Sequence, residues 1–415
     1  MTTPTFDASL KTKKTAIGEI PVEWDAASIG SLCVTFSGGT PSRSSPEHFV
    51  GSIPWIKSGE LNQREIYRTE EYISEQGLTH SSARLVEPGT NLIALYGATA
   101  GVASRSRIRA AINQAILAVV PKIDDLDPNF LHYVLLAFRE QVGRLVQGAQ
   151  PNLNAELVRQ QQIALPPLRE QQGISAILGT WDHALDRVEN LLVAKKQFKR
   201  ALMQRLLTGK LRYSEFGREG WKTYRLSELL ERIFRPVTLQ DDVALDLISI
   251  RRRSGGLFFR GSFTAREFKT RDLNRIEADD FIVSKRQVTH GALAMVRQPF
   301  AGMHVSNEYV IFRCKAPEKL HMAFFDWLSR SRMMWHLAYL ASSGVHIEKL
   351  IFDPTDFLRE RIALPPTLRE QQRIVELFEA SDTETRLLEK ELNTLKTQKQ
   401  GLMQKLLTGK VRIGA

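Results

Sequence analysis

The sequence predicts an α/β (α+β) protein built from two mixed α/β blocks separated by two long α-helices that form an antiparallel coiled coil, with a pseudo-twofold internal repeat. Three observations predict it. Residues 164–213 and 363–413 are near-copies in fixed register after one inserted residue, Thr367, so that Leu168 matches Leu368, Met203 matches Met403 and Gly209 matches Gly409. Each copy carries a heptad of apolar residues between helix start and stop signals. The stretches before each copy hold short runs rich in β-branched and aromatic residues, which read as strands. The expected domains are therefore residues 1–162, a helical segment 163–213, residues 214–362, and a second helical segment 363–415.

In the first block Trp24, Ile29 and Leu32 recur at the spacing of Trp221, Leu226 and Leu229 in the second. Strands are expected at 92–97 and 115–121, then at 281–285, 293–297 and 309–314, and helical segments at 129–147 and 322–342. Pro166 with Pro167, and Pro365 with Pro366, suit a helix start, where proline forfeits no hydrogen bond. Gly209 and Gly409 suit a left-handed C-terminal cap, with Lys210 and Lys410 at the negative end of the dipole and Glu170 and Glu370 near the positive end. The first seam runs through Ile174, Trp181, Val188 and Leu202, with Ile177, Leu178, Leu185, Leu191, Leu192, Phe198 and Leu206 alongside and Lys195 as an interruption. The second keeps Ile374, Leu388, Leu395, Leu402, Leu377, Phe378, Leu392 and Leu406, but Ser381, Glu384 and Gln398 fall on it. A helix of about 40 residues is roughly 60 Å long and needs a partner for its apolar stripe. Because the chain supplies two, they are expected to pack on each other, with pairing between chains as the alternative.

At 415 residues the chain exceeds the size of one hydrophobic core, and 43% hydrophobic with 25% charged residues describes a folded protein rather than a disordered one. The net charge of +11 favours a polyanionic partner. There is no long apolar run and no secretory signal in MTTPTFDASLKTKK, so a cytoplasmic location without a membrane is expected. Cys33 and Cys314 lie in different halves, as reduced thiols would, and neither has metal-ligand spacing.

Polar chemistry concentrates in the loops. Residues 37–45, SGGTPSRSS, centre on Arg43; residues 55–62 present Lys57 and Ser58; and Arg251, Arg252, Arg253, Arg260, Arg266 and Lys269 cluster with Gly255, Gly256, Phe258 and Phe259. Arginine near glycine suits phosphate and guanine contacts. Catalytic patterns are missing: the LTGK segments lack the upstream glycine of a phosphate loop, there is no HExxH and no paired CxxC. Asp353-Pro354-Thr355-Asp356-Phe357 approaches the tetrad of an amino methyltransferase but lacks its second proline, and reads as a turn before a strand.

The twin LPP-x-REQQ starts (Leu165 to Gln172, Leu364 to Gln372), the twin LMQ-x-LLTGK ends (Leu202 to Lys210, Leu402 to Lys410), Gly38 to Arg43, Ile53 to Leu61, Tyr96 to Gly101 and Ile112 to Ala115 together resemble the specificity (S) subunit of a type I restriction-modification system. The second block has a diverged counterpart in His290 to Ala292 and Ser306 to Tyr309. The resemblance covers essentially the whole chain. It implies two target recognition domains, each reading half of a split, asymmetric double-stranded DNA sequence. The repeated helices would set the gap and dock two methyltransferase (M) subunits, which bind S-adenosylmethionine, while restriction and translocation (R) subunits join through the complex. It implies no catalysis, cofactor or metal of the chain's own. The expected DNA contacts are Arg43, Lys57, Ser58, Tyr96, Thr99, Arg105 and Asn113 in the first block, and Arg251, Arg253, Arg260, Lys285, Arg286, Arg297 and His346 in the second. Two alternatives stay open: a methyltransferase or nuclease with an unfamiliar site, and a purely structural coiled-coil adaptor.

Lengthening both long helices by one turn, about 5.4 Å, is expected to widen the gap in the methylated target by one or two base pairs at roughly 3.4 Å each. Unchanged spacing in the methylation pattern would refute the helices as a ruler.

Overall fold

The computed structural model describes residues 4–5, 11–97, 99–145, 153–217, 219–267, 272–346 and 349–413; Lys269 lies outside them. The chain divides into two units, residues 1–189 with 390–415, and residues 190–389. The central long helix, Leu168–Leu206, and the C-terminal long helix, Leu368–Leu407, each contribute to both.

In the first unit, strands β1 (Cys33–Ser37), β2 (Ile53–Ile56), β3 (Glu65–Ile66), β4 (Glu71–Ile73), β5 (Arg84–Val86), β6 (Asn91–Ala94), β7 (Ala103–Ser106), β8 (Ala110–Ile112) and β9 (Ile116–Pro121) form two sheets. Their orders are β1-β9-β6-β7-β3 and β4-β2-β8-β5. Ile56, Leu61, Ile66, Leu92, Ile112 and Ile116, all completely buried, fill a core shared by strands of both sheets. Helix α1 (Pro128–Leu145) is capped by Asp127, whose carboxylate accepts the Phe130 amide at 2.7 Å. Its Phe130, Leu131 and Leu135 are buried with Trp24, with Ile174 and Leu178 from the start of the central helix, and with Met403 and Leu406 from the end of the C-terminal helix.

The second unit repeats this plan. Strands β10 (Leu230–Ile233), β11 (Leu245–Ile250), β12 (Leu257–Phe263), β13 (Leu273–Arg275), β14 (Phe281–Ser284), β15 (Leu293–Met295), β16 (His304–Ser306) and β17 (Tyr309–Cys314) make sheets of order β10-β17-β14-β15 and β12-β11-β16-β13. The matched tryptophan spacing has a structural meaning. After Trp24 come a strand (Asp25–Ser28), one helical turn (Ile29–Leu32) and β1; after Trp221 come a strand (Lys222–Arg225), one turn (Leu226–Leu229) and β10. Each leading strand pairs antiparallel with the strand just before a long helix, Gln162–Leu165 or Arg361–Leu364.

Two sequence readings need correction. The stretch 322–342 is two helices, α2 (Met322–Ser329) and α3 (Arg332–Leu340), because the Ser331 hydroxyl accepts the Met334 amide and starts a new helix. Residues 353–357 open a helix, α4 (Pro354–Arg359), rather than a turn: Asp353 accepts the amides of Thr355 at 2.6 Å and Asp356 at 3.2 Å, with proline in the first position.

The long helices pair antiparallel within the chain. In the first unit Asp182 meets Lys399 at 2.5 Å and Glu189 meets Lys396 at 2.7 Å; in the second, Lys195 meets Glu384 and Lys196 meets Glu389, each at 2.6 Å, and Lys199 meets Asp382. From Asp182 to Glu189 the partner falls from Lys399 to Lys396, and from Lys196 to Lys199 it falls from Glu389 to Asp382, as antiparallel packing requires. Lys195 and Glu384, each a polar residue on its own seam, thus pair with each other. Leu191 and Phe198, expected on the seam, are 44% and 64% exposed. Lys199 lies inward instead, its ammonium 4.4 Å from the centre of the Trp327 ring.

Both helix starts are tied by the same pair of residues. Glu170 receives a two-pronged contact from Arg412 at 2.7 and 2.9 Å, and Glu370 receives one from Arg212 at 2.8 and 2.7 Å. Next to them Gln171 and Gln371 each span two segments. The Gln171 carbonyl oxygen accepts the Asp127 amide and its nitrogen donates to the carbonyls of Asp125 and Pro166; Gln371 does the same with His321, Lys319 and Pro365. The inserted Thr367 caps the second helix by accepting the Glu370 amide at 3.2 Å. Gly209 and Gly409 take the left-handed conformation, at φ +69° and +70°, and terminate the helices as their sequence positions predict.

No helix among the described residues is long and apolar enough to cross a membrane. Cys33 is buried, and that burial pushes its thiol up to about 12, which keeps it an unreactive thiol.

Removing the Glu370 carboxylate by Glu370→Ala leaves the Arg212 guanidinium without its buried partner and is expected to cost on the order of 3 kcal/mol, read as a lowered urea midpoint. A second prediction concerns His132, which is 5% exposed with neither ring nitrogen hydrogen-bonded among the described residues. Burial, then the nearby Arg105 charge, lowers its pKa from 6.5 to about 3. The unfolded chain therefore binds a proton in a window where the folded chain refuses it. Stability is complete above that window and is lost as pH falls from 6.5 toward about 3. The drop in urea midpoint over this range should shrink in His132→Phe; equal drops in both proteins would assign it to other groups.

Candidate nucleic-acid interface

The first unit carries a glycine-dependent loop laid across its four-stranded sheet. A Cβ on Gly38 would stand 1.8 Å from the Ile112 carbonyl oxygen, and one on Gly39 would stand 2.1 Å from the Ser82 hydroxyl. Only glycine lets the loop approach strand β8 and the segment entering β5 this closely. The loop is fixed further by the Gly39 amide on the Ile112 carbonyl at 3.0 Å and by the Trp55 indole nitrogen donating to the Gly39 carbonyl at 3.2 Å.

Arg43 and Lys57 are brought together, but by an acid. Glu71 accepts from Arg43 and from Lys57, each at 2.8 Å, and Glu70 adds a 3.4 Å contact to Lys57. The Glu71 hydrogen bond raises the Lys57 pKa, and the same bond lowers that of Glu71. The Arg43 guanidinium also sits 4.2 Å from the Phe49 ring centre. Ser58 opens a short 3-10 helix after β2 and is half-buried.

Tyr96 is 39% exposed and Thr99 is buried, in a loop turned by Gly97 and Gly101 at φ +83° and +77°. The Leu95 amide donates to the Ala115 carbonyl, so this loop borders Asn113 and Gln114. Asn113 is half-buried, and its side-chain oxygen accepts the Ala115 amide at 3.2 Å, shaping the turn between β8 and β9. Arg105 departs from the expectation of an exposed contact. It is 5% exposed, and its guanidinium donates to the side chains of Asn91 and Asn129 and to the Pro128 carbonyl, holding α1 against the sheet.

In the second unit the prominent feature is the β11–β12 hairpin. Arg253 and Ser254 at its tip adopt φ +56° and +53°, a conformation that side-chain-bearing residues seldom take. Two backbone bonds hold them there, from the Arg253 amide to His290 and from the Ser254 amide to Gly291, at 2.7 and 2.8 Å. The exposed Arg251 lies with its guanidinium 4.6 Å from the Phe258 ring centre, and Arg260 is exposed on β12. Arg252 donates to Gln287 at 2.5 Å, which brings the hairpin beside Lys285 and Arg286. Arg286 is paired with Glu308 at 2.7 Å, and Lys285 is half-buried. His346 is exposed in the segment between the paired strands Ser342–Ser343 and Ile351–Phe352. Arg297 faces the C-terminal long helix instead, bound to Glu379 at 3.1 Å.

Arg251, Arg253 and Arg260 are therefore exposed on one hairpin, Arg260 at the bulge away from the tip, while Arg105 and Arg297 serve packing. Among the described residues no cluster of three or more histidine, cysteine, aspartate or glutamate side chains is arranged to hold a metal ion. Sequence reasoning missed Arg84 and Arg232, whose guanidiniums sit 4.2 and 4.3 Å from the ring centres of Phe36 and Phe234. Arg232 and Phe234 alternate along one stretch and were detectable by spacing; Arg84 and Phe36 are far apart in sequence.

A family model described as the type I restriction modification DNA specificity domain matches residues 21–193. The MjaIX specificity subunit of Methanocaldococcus jannaschii, a type I restriction enzyme subunit, is 26% identical over 53% of this chain and 54% of its own length, so that match spans about half of the relative. The putative MjaX specificity subunit of the same organism is 22% identical over 97% of this chain and 96% of its own. The crystal structure of the S subunit of a type I restriction-modification system from M. genitalium shares the fold, with a TM-score of 0.55 at 13% identity over 97% of this chain and 98% of that one. With its doubled helix and twin α/β frames, the chain shares the fold of a type I restriction-modification S subunit and is similar over nearly its whole length to a type I specificity subunit, and its residues 21–193 match the type I DNA specificity domain.

Proposed function

We propose that the chain is the DNA sequence-specificity subunit of a type I restriction-modification complex. The domains of residues 1–162 and 214–362 each read one half of a split, asymmetric double-stranded target. The helical segments 163–213 and 363–415 set the gap and dock two methyltransferase subunits, with restriction and translocation subunits joining through the complex. Catalysis and S-adenosylmethionine belong to those partners, and the assembly works in the cytoplasm.

The observation that carries this reading is one frame bearing two unlike loop sets. The tryptophan, leading strand, short turn, sheets and helix clamp are common to both units. The glycine-dependent loop at 38–45 and the arginine hairpin at 250–257 are not. An invariant frame with divergent exposed loops suits a reader whose two halves recognise different sequences. Joining two readers in one chain makes the second binding event intramolecular, so two modest specificities multiply.

Long-read methylation mapping of cells with and without this chain tests the proposal, with a two-part asymmetric motif expected only when it is present. Arg253→Ala is expected to relax the half-site read by the second unit and leave the other intact. Equal loss at both halves would mark Arg253 as a general phosphate or folding residue, and S-adenosylmethionine binding by the purified chain alone would point to an enzyme instead.

A further inference from the structure

We propose that Arg84, held over the ring of Phe36, is a base-reading residue of the first unit that takes the major-groove edge of a guanine in duplex DNA. The proposal rests on the DNA-recognition reading and identifies where on this unit the base contact is made.

The argument begins with which cations are available. Arg43 and Lys57 are the prominent loop cations, yet Glu71 binds both and Glu70 binds Lys57 as well. One arm of the Arg43 fork is spent on Glu71 and the Lys57 ammonium is held by two carboxylates, so neither cation meets DNA as an unpaired charge. Arg84 is exposed on β5, and its side chain has no hydrogen bond or ion pair among the described residues. What holds it is the aromatic face of Phe36, 4.2 Å from the guanidinium carbon. A ring contact of this kind limits the motion of the guanidinium while using none of its five N–H donors. A restrained, unspent fork is what two-point recognition of guanine O6 and N7 needs.

The surroundings are suited to reading bases. Arg84 pairs in the sheet with Ile112, the residue whose carbonyl the Gly38 backbone overlies. Two residues beyond Ile112, the exposed Gln114 accepts the Thr40 hydroxyl proton at 2.5 Å through its carbonyl oxygen. Its amide N–H groups have no partner among the described residues and remain to donate. Phe36 stands at the end of β1, which runs directly into the Gly38 loop, and is partly buried against the core of the two sheets. Arg84 thus stands at a strand end, with Thr40 on the glycine-fixed loop and Gln114 in the turn after β8 bonded to each other beside it, and Arg84 carries the only charge of the three.

The test uses the full chain assembled with its methyltransferase subunits, methylating a library of DNA duplexes randomised across both half-sites. Arg84→Lys keeps the positive charge but removes the planar fork, and Arg84→Ala removes both. With either variant, discrimination at one guanine position is expected to fall roughly 5- to 150-fold, in the half-site that Arg253→Ala leaves intact, with the other half-site unchanged. Unchanged base preference in both variants overturns the proposal. So does a uniform weakening across all sequences in Arg84→Ala, rescued by Arg84→Lys, with a salt dependence shallower by about one ion, which is the mark of a phosphate contact. If the unaltered complex shows no sequence preference, the DNA-recognition reading itself fails, a result separable from any effect at Arg84.

Discussion

The structure depends on a buried charge pair used twice. Glu170 is 8% exposed and Glu370 is fully buried, and each is gripped by an arginine that follows the other long helix. Burying a carboxylate and a guanidinium is costly unless the geometry is two-pronged and the remaining atoms are satisfied. Both conditions hold. The Trp24 indole donates to Glu170 at 2.9 Å, and Arg212 also donates to the Glu219 carbonyl. This explains where the sequence repeat begins and ends. The LREQQ of one copy is spatially completed by the arginine just beyond the LTGK of the other, so both ends of the repeated string are parts of one joint.

Around that joint the units diverge in a consistent direction. Tyr133 and Asp182 in the first unit occupy the places of Trp327 and Asp382 in the second, and Lys399 and Lys199 approach those rings correspondingly. One turn away, Gly179 stands where the second copy has Glu379. Glu379 reaches Arg297 and fills its space, whereas Gly179 borders a cavity of about 610 Å³ lined by Arg64, Arg107, His132, Tyr133 and Asp186. Arg64 bridges that gap by binding Asp182 and Asp186, each at 2.5 Å. The same contact between domain and helix is therefore made by different charges from different connecting segments.

The fold was legible because its signals are periodic or local. The repeated block, the strand runs and the paired tryptophans are visible within short windows of sequence. The errors share a cause as well. Phe198 fits the heptad by hydrophobicity, but Lys199 gains both Asp382 and the Trp327 ring, which no heptad count includes. Residues 353–357 show the aspartate cap and proline of a helix start, signals outweighed in the sequence reading by the comparison with a catalytic tetrad. In the interface the cations were found and their availability was not. Glu71 lies fourteen residues beyond Lys57, and its effect depends on the antiparallel pairing of β2 with β4. Asparagine-rich anchoring of Arg105 is equally a property of tertiary neighbours.

A charge count and a binding field are accordingly different quantities. The net charge of +11 belongs to the whole sequence, but the field at a surface is set by cations whose counter-ions are distant. Arg286, Arg43 and Lys57 each have a carboxylate within 3 Å, and at the distances that matter for an approaching phosphate such a pair acts as a dipole. Arg251 and Arg84 are restrained by rings instead of carboxylates and keep their full charge. Aromatic support thus resolves a conflict built into recognition by arginine: an unrestrained guanidinium loses entropy on binding, while one restrained by an acid must first be released. Restraint by a ring avoids both costs, and it places selectivity on side chains whose neighbours in space, rather than in sequence, determine what they can do.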